Sequence, residues 1–415
     1  KEYPQQKFVP VYWMATEDHD FAEINYFNLN GKKFLWNSDQ PGAGSDAVGN
    51  LTTKGLEEVF ELFSAEIGGG KNAEELKDLF KSSYLEHSNL SHATRFLANE
   101  LFKDYGLVIL DSDEKSLKTE FIPYLEQELF GQISHKTTTP VAEKIQELGY
   151  GVQVNPREIN LFYLANGLRE RIIQRDDTYF INETDISFTK EELKAELKTN
   201  PQYFSPNVMT RPLYQEVILP NLCYIGGGGE LAYWFELKDF FDAVKVPFPI
   251  LLLRNSALIE TSKQDQKRNN LDISQAELFL KQHELINRKV RKISNIDIDF
   301  SPQKEFLVQQ FQHLYELATQ TDPTFLGAVK AQEVKQLKGL ENLENRLLKA
   351  QKRKLKDEVS RIADLQNDLF PNKSLQERQT NFSEMYLQYG KELIPNLINE
   401  LDPLELNFKI LTFGE

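Results

Sequence analysis

Phe8-Val9-Pro10-Val11-Tyr12-Trp13-Met14, running at once into Thr16-Glu17-Asp18-His19-Asp20, decides the fold class of this chain. The apolar run is β-branched and aromatic and lacks polar alternation, the pattern of a strand buried on both faces of a parallel sheet. Phe21, Ile24 and Phe27 follow at helical spacing, so the sequence predicts strand, turn and helix start. In open α/β sheets such a turn is where ligands sit. The turn holds Glu17, Asp18 and Asp20 around His19, and a carboxylate beside an imidazole keeps it basic enough for proton transfer. Asp20, with Glu23 three residues on, also reads as a helix cap.

Working outward, Leu222-Cys223-Tyr224-Ile225, the glycines from Gly226 to Gly229, an aromatic helix from Glu230 to Phe241 and Pro249-Ile250-Leu251-Leu252-Leu253 form a second strand, helix and strand. With the first strand, turn and helix start, this unit predicts an α/β core. Between them, polar helices surround one short strand at Leu107-Val108-Ile109-Leu110, the look of an insertion. Beyond Glu260 the chain turns to Gln, Lys, Glu and Leu. From Pro323 to Pro371 no proline interrupts a helical recurrence that includes Val334, Leu337, Leu340, Leu347, Leu348, Leu355, Val359, Ile362 and Leu369. That stretch predicts one helix of roughly 70 Å, long enough to pack as a coiled coil. The expected domains are 1–27 and 151–260 for the core, 28–150 for the insertion, 261–370 for the coiled coil and 371–415 for a C-terminal helical segment.

Composition narrows the function. A formal charge of −15 over 415 residues argues against a nucleic-acid or anionic-membrane binder. The single cysteine, Cys223, rules out an intrachain disulfide framework and fits a reducing cytoplasm. Cys223 reads as a small core residue of its strand. No apolar run approaches the length of a membrane span. The six histidines form no His-x-x-x-His pair, so no zinc site is expected. The opening Lys1-Glu2-Tyr3-Pro4, without an initiator Met, reads as the start of a fragment.

Among candidate binding residues, Gly227, Gly228, Gly229 and Glu230 open a helix whose amides suit a phosphate or carboxylate, though a tight structural turn explains the same glycines. Tyr233 and Trp234 wall a pocket there or pack the core. Asn207, Arg211 and Gln215 recur at steps of four, placing an arginine between two amides on one helical face, an anion reader or an exposed polar face. Arg254 ends the third strand and projects toward the same crevice. Gly68-Gly69-Gly70-Lys71 lacks P-loop spacing and reads as a hinge. Lys352-Arg353-Lys354-Leu355-Lys356 reads as a solvated basic face or an anion contact.

Val11 to Phe21, Ser205-Pro206-Asn207 with Arg211-Pro212 and Gln215, Gly227 to Trp234, and Ser374-Leu375-Gln376-Glu377-Arg378 with Asn381-Phe382 together closely resemble the bacillithiol biosynthesis cysteine-adding enzymes, the BshC family. The resemblance runs in order from Phe8 to the C-terminus. It implies a Rossmann-like core similar to nucleotidyltransferases and class I aminoacyl-tRNA synthetases, and a coiled coil that pairs subunits into a homodimer. It also implies a cytoplasmic ligase that joins cysteine, through its carboxylate, to the amine of glucosaminyl malate. An amide forms from a carboxylate only after activation, so ATP is the expected cofactor, with magnesium the one metal it would bring. On this reading His19 or Asp18 takes a proton from the sugar amine, while Trp13, Asn207, Arg211, Gln215, Tyr233, Arg254 and the glycine turn bind substrate or nucleotide. No Lys-Met-Ser-Lys-Ser-like stretch follows; Thr261-Ser262-Lys263 stands nearest to it. Two other readings fit the residues: a non-catalytic coiled-coil adaptor with a small-anion-binding α/β domain, and an ATP-independent transferase or hydrolase acting on a sugar amide.

Overall fold

The apolar opening run forms strand β1 (Val11–Met14) in this computed structural model, which describes residues 5–40, 43, 46–165 and 167–414. The reading drawn from Lys1 to Pro4 lies outside the described residues. β1 pairs in parallel with β2 (Val108–Asp111), Val11 opposite Val108 and Met14 opposite Asp111. The stretch read as an insertion thus supplies a hydrogen-bonded neighbour of the first strand. The helix predicted after the turn is a single turn, Phe21–Ile24, because an antiparallel hairpin of Tyr26–Leu29 and Lys32–Leu35 takes over. Asn30 and Gly31 both adopt positive φ there, the tight turn that an Asn-Gly pair favours.

Helix α1 (Lys115–Gly131) then leads toward a five-stranded antiparallel sheet that the sequence reading did not predict. Its strands are β3 (Leu161–Ala165), β4 (Leu168–Arg175), β5 (Thr178–Ile181), β6 (Ser187–Thr189) and β7 (Phe204–Pro206), in the order β6-β5-β4-β3-β7. Helix α2 (Arg211–Ile218) follows. The second predicted strand-helix-strand unit is present as β8 (Cys223–Gly226), α3 (Gly228–Trp234) and β9 (Ile250–Leu253), with Cys223 opposite Ile250 in a parallel pair. Cys223 is half-buried in β8.

One core serves these elements. Phe121 and Leu125 of α1, Leu161 of β3, Phe204 of β7, Tyr214 of α2 and Trp234 of α3 are all buried in it. Each such side chain contributes roughly 1.5–3 kcal/mol on leaving water. α1, α2 and the antiparallel sheet thus share one buried core.

The chain divides into two units. The first comprises residues 1–256 with 380–409, the second 257–379 with 410–415. In the second unit α4 (Gln282–Ile293) and α5 (Ser301–Ala318) are followed by α6 (Pro323–Lys354) and α7 (Lys356–Leu369), and these last two replace the single 70 Å helix of the sequence reading. The helix stops at Leu355, whose φ of −100° and ψ of 31° break the ladder. Leu355 and Val359 beyond the break pack instead against the cluster of Val290, Ile298 and Leu348. α6 alone, at 32 residues, is about 48 Å long. It lies against α5 through Phe311, Ala318 and Val329, with the Tyr315 hydroxyl donating to Glu333 at 2.6 Å. Of the basic cluster at its end, Arg353, Lys354 and Lys356 are exposed.

Candidate functional site

Two charged turns stand at the carboxyl ends of the parallel pairs. The first follows β1. Glu17 is buried and forms an ion pair with Lys118 of α1, itself 1% exposed. Lys118 also meets Asp113 at 2.8 Å, and Ser205 of β7 donates to the second Glu17 oxygen at 3.1 Å. Burial pushes the Glu17 carboxyl up, while Lys118 and Ser205 pull it down. The turn is therefore tied by buried charge to both α1 and β7.

On that base Asp18 and His19 face outward. The Asp18 carboxylate accepts the His19 backbone N–H at 2.8 Å. Arg169 of β4 reaches the His19 ring with Nη1 2.8 Å from Nδ1, its guanidinium lying 3.9 Å over the Phe162 ring. Arginine has only donors, so Nδ1 of neutral His19 is the acceptor and its proton sits on Nε2. Nδ1 lies 3.5 Å from Asp18 and Nε2 lies 3.9 Å from Asp20. Asp20 stands at the helix N-cap position, yet its side chain makes no cap bond. Arg169 was absent from the sequence reading. Its contact with His19 spans 150 residues, a distance no motif spacing reports.

The second turn follows β8. The Glu230 carboxylate accepts the Gly227 N–H at 2.9 Å and the Tyr224 hydroxyl at 3.2 Å. Arg211 of α2 donates to the Tyr233 hydroxyl at 2.9 Å and lies 3.6 Å from Glu230. The Arg254 guanidinium stands beside Gly227, where an added Cβ would be 3.7 Å from its Cζ. Gly228 and Gly229 have open space where a Cβ would point. Burial pushes the Tyr224 and Tyr233 phenols up, so both remain protonated. Two guanidiniums and two phenols around an open glycine turn can hold a multiply charged anion.

The structure thus brings Arg211, Gly227, Glu230, Tyr233 and Arg254 together, and separately Asp18 and His19. Among the described residues no hydrogen bond or ion pair joins the two groups directly. Asn207 is occupied in building its own turn: its side-chain oxygen accepts from the Met209 and Thr210 amides, and its amide donates to Asn160. Asn160 in turn is held by the buried Glu128 carboxylate, which accepts its N–H at 2.8 Å. Gln215 is buried on α2, one turn beyond Arg211. Trp13 sits edge-on to Tyr214 at 5.3 Å. Thr261 caps the helix Ser262–Asn270 by accepting the Gln264 N–H, and belongs to the second unit.

Parallel strand pairs with charged turns at their carboxyl ends, followed in the chain by a unit of long helices, define an α/β protein with a helical appendage. The comparisons with known proteins agree and go further. The profile of the bacillithiol biosynthesis BshC N-terminal Rossmann-like domain matches residues 1–255, and that of the BshC C-terminal coiled-coil domain matches residues 257–413. The chain belongs to the BshC family of bacillithiol biosynthesis and is a ligase. A relative from Christiangramia forsetii is 70% identical over 414 residues, covering 100% of this chain and 77% of its own length. One from Flavobacterium johnsoniae is 60% identical, covering 99% and 77%, and one from Cytophaga hutchinsonii is 36% identical, covering 99% and 76%. All three carry the name "Putative cysteine ligase BshC". No helix among the described residues is long and apolar enough to cross a membrane.

Proposed function

We propose that this chain joins cysteine, through its carboxylate, to the amine of glucosaminyl malate, using ATP to activate the carboxylate. The relatives' name supports cysteine as a substrate, and the Arg211, Arg254 and Tyr233 cluster is the observation that supports anion binding at the glycine turn. That cluster suits either the triphosphate of ATP or the paired carboxylates of a malate group, and magnesium would arrive with the nucleotide. ATP supplies the leaving group; the chain's own residues orient and move protons.

His19 and Asp18 divide the proton work. Because Arg169 occupies Nδ1, neutral His19 offers Nε2–H as a donor, suited to polarise an oxygen that gains charge. Asp18, exposed and acceptor-only, is then the group that takes the amine proton. In the second unit Phe306, Leu317, Val334 and Leu343 are exposed on α5 and α6, which supports subunit pairing through this hairpin.

Incubation with cysteine, glucosaminyl malate and ATP, followed by mass spectrometry, tests the reading. Bacillithiol with AMP supports an adenylate, and bacillithiol with ADP an acyl phosphate. Product formation indifferent to nucleotide would remove ATP from the mechanism.

A further inference from the structure

A cavity of about 350 Å³ is lined by Tyr12 and Met14 of β1. Strand side chains alternate, so Trp13 turns toward Tyr214 while Tyr12 and Met14 line this space. Its wall is otherwise built from the hairpin after β1, the helices between Leu56 and Phe102, and the segment from Asn381 to Ser383. Asp18, His19, Arg211, Glu230, Tyr233 and Arg254 take no part in it.

Two properties define what it would accept. First, no Asp, Glu, Lys, Arg or His lines it among the described residues. A wall without charge leaves a phosphate or carboxylate with nothing to replace its hydration. Second, aromatic rings dominate the wall: Phe63 stacks on Phe80 at 5.5 Å, and Phe80 meets Tyr84 at 5.1 Å. The Tyr12 and Tyr84 phenols also reach the space and are held protonated by burial, Tyr84 up to about 12, so they offer donors without charge. The volume falls at the lower end of the roughly 300–1,000 Å³ typical of small-molecule sites.

We infer that this cavity is a binding site for an uncharged, largely aromatic or aliphatic small molecule carrying a hydrogen-bond acceptor, distinct from the site at the two charged turns. The site is independent of the ligase reading and survives its failure.

N-phenyl-1-naphthylamine, neutral and fluorescent in apolar surroundings, is the probe, with its sulfonated analogue 8-anilinonaphthalene-1-sulfonate as the charged control. Saturable one-to-one binding of the neutral dye is expected, about tenfold or more tighter than the sulfonate. Leu97→Trp, which fills the space, is expected to weaken the neutral dye by a similar factor. Thr94→Leu is the milder filler should Leu97→Trp fail to fold, and circular dichroism checks both. Equal binding of the two dyes, no fluorescence rise up to the solubility limit, or undiminished binding in a folded filled variant would overturn the inference.

Discussion

The turn after β1 and the turn after β8 hold equivalent places at the ends of parallel strand pairs, yet opposite means keep them in shape. The first rests on buried charge: Glu17, Lys118 and Asp113 lock it to α1. The second rests on glycines and on a half-exposed carboxylate, Glu230, folded back onto its own backbone. A charge taken from water is costly unless paired, so the first turn has one arrangement and a steep penalty for losing it. The second keeps its charges near solvent, where each is worth little to stability and stays available to a ligand. On the proposed reading, stability and recognition fall on different turns.

That contrast can be broken from the first side. Lys118→Met leaves Glu17 and Asp113 without their cation and is expected to destabilise the first unit by about 3–5 kcal/mol, read from the midpoint of urea unfolding. Lys118→Met together with Glu17→Gln should recover part of that loss, since one orphaned charge is removed with its partner. Unfolding of the single variant at the wild-type midpoint would show that the buried pair adds no constraint.

From the second side, Arg211→Ala should move function and spare the fold. Loss of the proposed anion contact is expected to lower kcat/KM by about 100-fold, with unfolding changed by under about 1 kcal/mol. Arg211→Lys is not expected to rescue, because a point charge cannot reproduce the fork beside the Tyr233 hydroxyl. A stability loss comparable to that of Lys118→Met would erase the distinction between the turns.

A third variant tests the footing behind Arg211. Glu128 accepts from the Ser134 N–H, the Ser134 hydroxyl and the Asn160 N–H, and burial holds its carboxyl above the usual value of 4.5 despite those bonds. A carboxyl raised in the folded state stabilises fully below its unfolded value and loses that contribution as pH rises through the folded one. Wild-type stability should therefore carry a downward component above about pH 4.5 that Glu128→Gln lacks, visible as a flatter profile of unfolding free energy against pH. Identical slopes would place the folded and unfolded values together.

The smallest effect is expected at Glu230. Glu230→Gln weakens the bond to the Gly227 N–H and should cost about 0.5–1 kcal/mol, measurable in thermal unfolding. Removing its charge should also tighten the binding of inorganic phosphate or pyrophosphate, read by calorimetry.

Much of this was legible in the sequence, and the rest failed for identifiable reasons. β1, β8 and β9 are apolar runs without alternation, and Gly226 to Gly229 announced the turn between the last two. The antiparallel sheet escaped because Arg169, Glu170 and Arg171 interrupt the apolar pattern of β4; the Asn166-Gly167 pair was the local hairpin signal. The break at Leu355 is silent because Lys354, Leu355 and Lys356 are ordinary helix formers, and the local packing of Leu355 and Val359 decides the matter. At the site, residues close in sequence were found together, as with Asp18 and His19. Arg169 and Lys118 were not, since they reach their partners only through the folded sheet and α1.

The Gly227 amide is already engaged by a side chain of its own helix. Glu230 is its tethered occupant, so an incoming anion enters by exchange, and its measured affinity is the difference between two carboxylate-like contacts. The displaced Glu230 then stands free beside Arg211 and competes for it. Such an arrangement filters by valence: a monoanion replaces like with like and gains almost nothing, while a polyanion that satisfies both guanidiniums at once wins the exchange.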